Sequence, residues 1–238
     1  MTDRVAAVFF DLDGTLVRDG ATDAATEVIR ALTSRHPELD REGLRTANRE
    51  VWAQCWVEHG ERWARGELPA DAVARGVWRL TFERIGDPEA PALLTEAVAL
   101  HLAAEQRTFT PFDETRSVLE ELRRRGIPLG VITNGPSSSQ REKLRLARLD
   151  HFFELVVASG DIGVLKPDPA IFAHALRELG VRASASVHVG DNFVADIAGA
   201  TDAGLRGVWI NRDGAAASRD DVAHHAGPSL ETVLRLTV

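Results

Sequence analysis

Two carboxylates two residues apart mark where this chain does chemistry: Asp11-Leu12-Asp13-Gly14-Thr15 follows directly on the apolar run Val5-Ala6-Ala7-Val8-Phe9-Phe10. An all-apolar run of this kind reads as a parallel strand covered on both faces, and Gly14-Thr15 lets the chain turn sharply out of the sheet. In α/β sheets, ligands gather where strands end. Two acids at such a place handle a cation or a proton. An EF-hand reading fails, because Gly14, Thr15 and Leu16 stand where that loop needs another oxygen ligand and then a glycine.

The elements that position these acids come mostly from the second half of the chain. Pro128 to Ile132 is an apolar run ending at Thr133-Asn134-Gly135, Val187 to Val189 ends at Gly190-Asp191-Asn192, and Gly207 to Ile210 ends at Asn211. Leu155 to Val157 forms another run, followed by a loop with Lys166-Pro167-Asp168-Pro169. Helix-like segments alternate with these strands, which predicts consecutive right-handed βα units. Asp168 is placed to cap a helix with Pro169 at its first position, and Gly135-Pro136-Ser137 opens a segment running to Arg148.

Residues 20–108 differ: they carry helical patterning and no convincing strand, with breaks near His36-Pro37, Gly66 to Pro69 and Gly86 to Pro91. The fold class expected is α/β, a Rossmann-like parallel sheet core (1–19 and 109–238) with an inserted all-helical cap domain (20–108). Such an insert leaves the sheet beyond Thr15, returns near Pro111 and sits over the strand ends, as a lid would.

Composition narrows the function classes. The chain has 238 residues, 44% hydrophobic and 27% charged, enough for a core domain with a smaller companion. Its 28 basic and 36 acidic residues leave a net charge of -8, which argues against nucleic acid or an anionic membrane as partner. An anionic substrate therefore needs a locally positive site. The single cysteine, Cys55, excludes an intramolecular disulfide framework, the first apolar run is too short for a signal peptide, and no stretch spans a bilayer. A cytoplasmic location is expected.

Taken together and in order, Asp11-x-Asp13-Gly14-Thr15, Thr133-Asn134-Gly135, Lys166-Pro167 and Gly190-Asp191-Asn192 followed by Asp196 resemble the four motifs of the haloacid dehalogenase (HAD) superfamily. Each motif alone is a common turn or cap; four in register are specific. The position of the insert is similar to members with a small helical cap, most of them phosphatases. Ile132-Thr133-Asn134-Gly135, with Gln140 and Lys143 beyond, is most similar to N-acylneuraminate-9-phosphatase-like and pyrimidine 5′-nucleotidase-like members.

The resemblance implies a Mg²⁺-dependent phosphatase acting on a small phosphorylated metabolite, a sugar phosphate or a nucleoside monophosphate. In that reading Asp11 is the nucleophile, forming an aspartyl-phosphate, and Asp13 protonates the leaving alkoxide and later deprotonates water. Asp11, the main-chain carbonyl of Asp13 and Asp191 hold Mg²⁺. Thr133, Asn134 and Lys166 receive the phosphoryl oxygens, Arg18 reaches the rest of the substrate, and Asp196 and Asn192 support Lys166 or metal waters. Lys166 is the best-marked of these, since only Lys143 and Lys166 among the 28 basic residues are lysines. A phosphomutase, a dehalogenase and a non-catalytic phospho-ligand sensor are the alternatives.

In the insert, Trp52, Trp56, His59 and Trp63 fall on one helical stripe if Gly60 does not interrupt it. The favoured reading is the insert's own core; the other is an aromatic wall for substrate. Arg62, Arg65 and Arg18 are within the reach of an anionic distal group, with solvated surface the favoured reading in so arginine-rich a chain; His188 reads as a satisfied core histidine, and His224-His225 as too isolated for a metal site.

Overall fold

The computed structural model describes residues 5–18, 21–86, 90–217 and 224–237. The chain divides into two compact units, Asp19–Thr110 on one side and Met1–Arg18 with Pro111–Val238 on the other.

The second of these is a six-stranded, wholly parallel sheet: β1 (Ala7–Phe10), β2 (Leu129–Thr133), β3 (Leu155–Ala158), β4 (Ser186–Gly190), β5 (Arg206–Ile210) and β6 (His224–Gly227), in the order β3-β2-β1-β4-β5-β6. β1 lies in the interior of the sheet, and all four of its residues are buried. Alternation along it serves two cores. Val8 and Phe10 join Leu129, Val131, Val187, Val189, Val208 and Ile210, while Ala7 and Phe9 join Ile132, Val157, Ile171 and Phe172. Gly130 leaves room for Phe9, whose ring lies 2.7 Å from where a β-carbon would stand.

Strand register brings the chemistry to one edge. Phe10 pairs with Val131 on β2 and with Val189 on β4, so Asp11 continues level with Ile132 and Gly190. Its amide donates to the Val189 carbonyl at 2.8 Å. Thr133 and Asp191 lie one residue further along the same edge.

Helices α5 (Thr115–Arg124), α6 (Ser137–Leu146), α7 (Ser159–Ile162), α8 (Pro169–Leu179) and α9 (Gly199–Asp202) accompany the strands, with a single π turn at Phe193–Ala198. Asp168 caps α8 by accepting from the Ala170 amide, with Pro169 in the first turn. The helix expected to reach Arg148 ends at Leu146, and Arg148 itself adopts a φ of 54°. β6 was not foreseen: His-His-Ala-Gly has no apolar run or alternation, and only pairing with β5 makes it a strand.

The other unit consists of α1 (Ala21–Arg35), α2 (Arg41–Ala64), α3 (Ala70–Ile85) and α4 (Ala90–Thr108). The helices stop at the breaks expected, while α2 continues through Gly60. Its core holds Leu32, Leu44, Trp78, Phe82, Leu93 and Ala97. The tryptophan stripe is not that core. Trp56 is 58% exposed, His59 is exposed, and Trp52 and Trp63 are only partly buried. α2 instead buries Leu44, Ala47, Asn48, Val51, Gly60 and Ala64. Helical spacing identifies a shared face, but the buried face in the first half of α2 is that of Leu44, Ala47 and Val51.

On either side of the helical unit the chain is tied to the sheet domain, Val17 bridging to Pro111 and the Thr115 hydroxyl donating to the Leu16 carbonyl at 2.9 Å. Glu114 then accepts from Arg212 Nη2 at 2.8 Å and, at 3.4 Å, from the Leu230 amide. Burial works against the Glu114 charge, but backbone donors and the Arg212 guanidinium outweigh it and hold its carboxyl below the ordinary 4.5. A depressed acid contributes stability that is complete above its unfolded pKa and disappears as pH falls through the folded one. In urea titrations the stability difference between wild type and Glu114→Gln should therefore be steady above pH ~5 and shrink progressively below the ordinary carboxylate pKa. A pH-independent difference would show that the charge on Glu114 is irrelevant.

Candidate active site

A buried ammonium organises the edge where the strands end. Lys166 Nζ lies 2.6 Å from Asp11 Oδ1 and 2.5 Å from Asp196 Oδ1, and all three side chains are nearly or wholly buried. Each comes from a different element: Asp11 from the end of β1, Lys166 from the loop before α8, and Asp196 from the π turn after β4. Asn134 fixes the lysine's main chain. Its side-chain oxygen accepts from the Lys166 amide at 2.8 Å while its amide nitrogen donates to the Lys166 carbonyl at 3.0 Å.

Asp196 is saturated. Besides Lys166 it accepts from His188 Nε2 at 3.2 Å, and its Oδ2 accepts from the Asn192 amide at 3.0 Å. The Asn192 side chain caps the π turn by accepting from the Val194 and Ala195 amides. His188 is fully buried and edge-on to Phe172, and its Nδ1 has no hydrogen-bond partner among the described residues. The expected core histidine is therefore satisfied at one nitrogen only.

Burial is the largest influence on every charge here. It pushes Asp11 up to about 8, with Asp196 and Asp191 adding to the effect and Lys166 opposing it. Asp191, beyond the end of β4, is pushed up to about 6 by loss of surrounding water and by Asp196, against the help of a 3.1 Å hydrogen bond from the Thr15 hydroxyl. For Asp196 the attraction of Lys166 and His188 outweighs burial and holds it at about 2. Burial opposes the Lys166 charge, but Asp11 and Asp196 outweigh it and raise its hold on the proton; the His188 imidazole is driven toward neutrality, chiefly by burial.

Asp11, Asp191 and Asp196 can each offer an oxygen within 4.8 Å of the others. Three carboxylates face one ammonium and a neutral imidazole, an excess of negative charge that fits a hard cation. Because Asp196 is engaged on both oxygens, Asp11 and Asp191 are the carboxylates left to hold one. The loop is shaped around Asp191: Gly14, at a φ of 79°, has Asp191 Oδ2 2.5 Å from where a β-carbon would stand.

The Asp13 carboxylate is outside that cluster. Its Oδ2 accepts from Lys143 Nζ at 2.7 Å and weakly from Gln140 Nε2 at 3.4 Å. Lys143 and Gln140 had been noted only as part of a family resemblance, and neither was placed among the site residues; the signal available was the scarcity of lysine. Thr133 is buried at the end of β2, and its hydroxyl makes no side-chain hydrogen bond among the described residues. Arg18 lies apart from these contacts, pairing with Asp113 at 3.3 Å and covering the Phe112 ring. Arg62 and Arg65 pair with Glu67 and Glu61 at the surface. His224 and His225 belong to no acidic or histidine cluster among the described residues.

Residues 5–204 match the model of the haloacid dehalogenase-like hydrolases. A glyceraldehyde 3-phosphate phosphatase of Methanopyrus kandleri is 35% identical over 213 residues, 87% of this chain and 84% of that protein. The N-acylneuraminate-9-phosphatase of Homo sapiens is 30% identical, over 89% of this chain and 84% of its own length. Among solved structures, a 2-haloacid dehalogenase from Pseudomonas syringae superposes with a TM-score of 0.68 at 30% identity, covering 98% of this chain and 97% of that one.

Removing one member of a buried charge network strands the others. Asp196→Ala should destabilise the domain by about 3–5 kcal/mol in urea unfolding, since Lys166 would lose one carboxylate and His188 its acceptor. A loss below about 1 kcal/mol would mean that the network is not holding the strand ends together.

Proposed function

The chain belongs to the haloacid dehalogenase-like hydrolases, and from that premise we propose that it is a phosphatase that hydrolyses a small phosphorylated metabolite through an aspartyl-phosphate on Asp11. One observation carries this reading: two carboxylates two residues apart are each held by a lysine, Asp11 by Lys166 and Asp13 by Lys143, and these are the only lysines in the chain. Such a pair supplies a nucleophile and a separate proton-transfer group, the two functions that ester cleavage at phosphorus requires.

Hydrolysis of a phosphate monoester needs a barrier reduction of ~20 kcal/mol, so several groups must act together. A carboxylate oxygen of Asp11 attacks phosphorus in line with the ester oxygen, and the P–O bond to the alkoxide breaks as Asp13 gives that oxygen a proton. Asp13, now a carboxylate, takes a proton from a water that attacks the phosphoryl group and releases Asp11. Lys166 holds the nucleophile's orientation and offers charge to a phosphoryl oxygen. The unpartnered Thr133 hydroxyl and the Asn134 main-chain amide, just before α6, are further donors to the same group. Asp11, Asp191 and the Asp13 carbonyl would hold Mg²⁺, which when bound lowers repulsion between the anionic nucleophile and the dianionic ester.

The two relatives above are named for phosphatases, of a triose phosphate and of a sugar acid phosphate. Both names describe alkyl esters, whose leaving alkoxide needs a proton. Sugar phosphates are accordingly the substrate class proposed, with nucleoside monophosphates next. In this proposal the helical unit, residues 20–108 by sequence, is the cap that selects the substrate. The structural neighbour named for a dehalogenase favours a second reading, in which Asp11 displaces halide from carbon. Halide leaves without a proton, so that reading leaves the acid role of Asp13 unused.

The test is inorganic phosphate release from a panel of sugar phosphates, nucleoside monophosphates and small acid phosphates, with Mg²⁺ or EDTA, and halide release from 2-haloacids alongside. Turnover that needs Mg²⁺ and falls to background in Asp11→Asn is the expected result. Halide release without phosphate release would replace the phosphatase with the dehalogenase.

A further inference from the structure

We propose that Lys143 is a positioning residue for Asp13: it holds one carboxylate oxygen so that the other is presented for proton transfer. The inference rests on the phosphatase reading, in which Asp13 is the acid and base. Lys143 Nζ stands 2.7 Å from Asp13 Oδ2, and Gln140, three residues earlier and on the same face of α6, donates to that oxygen at 3.4 Å. Oδ1 has no protein partner among the described residues. One oxygen is thus anchored and one is open.

This pair differs in kind from the chain's surface ion pairs. The Lys143 side chain is 12% exposed, whereas Arg45 and Glu42, a typical helical pair, are 61% and 69% exposed. A surface pair of that sort contributes little, because water competes for both partners and both side chains are mobile. An ammonium that has surrendered most of its water is instead tied to its carboxylate. The Asp13 side chain keeps 32% exposure, enough to swing without an anchor.

The anchor is itself held. Gln140 is fully buried and donates to the Asn134 carbonyl at 2.8 Å, and a β-carbon on Gly135 would collide with its amide group. Asn134 is the residue that fixes the Lys166 main chain. The same strand-end loop therefore holds the Lys166 main chain and the Gln140 amide that reaches Asp13 Oδ2 beside Lys143.

Misplacing a proton-transfer group lowers rate by up to about 10²-fold without changing how substrate binds. The test uses the full chain with Lys143→Met, which keeps the side chain's length and removes its charge, Lys143→Gln as a second neutral variant, and Lys143→Arg. On an alkyl phosphate, Lys143→Met should lower kcat about 10- to 100-fold with KM changed less than about threefold, and Lys143→Arg should recover most of the loss. With p-nitrophenyl phosphate, whose leaving group departs without a proton, the first-turnover burst should stay within about threefold of wild type. Equal losses in both assays, failure of arginine to rescue, or unchanged alkyl-phosphate turnover would overturn the role of Lys143. A wild type that releases no phosphate removes the phosphatase reading and this inference with it, while an active wild type insensitive to Lys143 removes only the inference.

Discussion

The Lys166 ammonium, set between Asp11 and Asp196, is the interaction on which the rest of the sheet edge depends. Burial and two further aspartates all disfavour the Asp11 anion, and Lys166 is the positive charge in contact that opposes them. Asp196 in turn requires His188 and the Asn192 amide, which sets the geometry of the turn after β4. Packing enforces the arrangement: Gly199 brings the π turn against Pro167, with the Pro167 Cα 2.8 Å from where a β-carbon would stand, and a side chain at Gly190 would occupy the space of Asp196.

Charge in the site is divided between two places with different character. Around Lys166 the acids outnumber the cations, which suits a divalent metal, whose charge would favour the ionised form of Asp11 against its two neighbouring carboxylates. Around Asp13 one lysine holds one carboxylate oxygen. Arginine carries nearly all other positive charge and meets glutamate or aspartate at the surface in pairs such as Arg124–Glu121 and Arg145–Glu142. Its planar fork suits those exposed bidentate contacts, and the compact ammonium suits the two confined ones.

The helical unit follows a different logic. Its core is built on Trp78, Phe82 and leucines, with Asn48 donating to the Thr81 hydroxyl at 3.1 Å in the interior. Trp56 and Val57, at 58% and 87% exposure, lie outside that core, and Trp56 packs beside Trp63 with ring centroids 5.7 Å apart. Large apolar side chains are therefore spent on a surface of the unit.

The sequence by itself determined the parallel strands β1 to β5, the four helices between Arg18 and Pro111, and the strand-end positions of Asp11, Thr133 and Asp191. Runs of apolar residues and helix punctuation are local signals, and the parallel α/β rule turns them into one edge of a sheet. Lysine's scarcity also pointed to Lys166 before any contact was known. Tertiary structure decided the rest. β6 exists because β5 offers it hydrogen bonds, a partner no local pattern in His-His-Ala-Gly announces. α2 buries Leu44, Ala47 and Val51 while Trp56 stays exposed, because periodicity fixes which residues share a face and only neighbouring helices decide which face is covered. Lys143 meets Asp13 across 130 residues of chain. A contact between elements depends on where each strand ends and how each helix is rotated, and these are properties of the packed sheet.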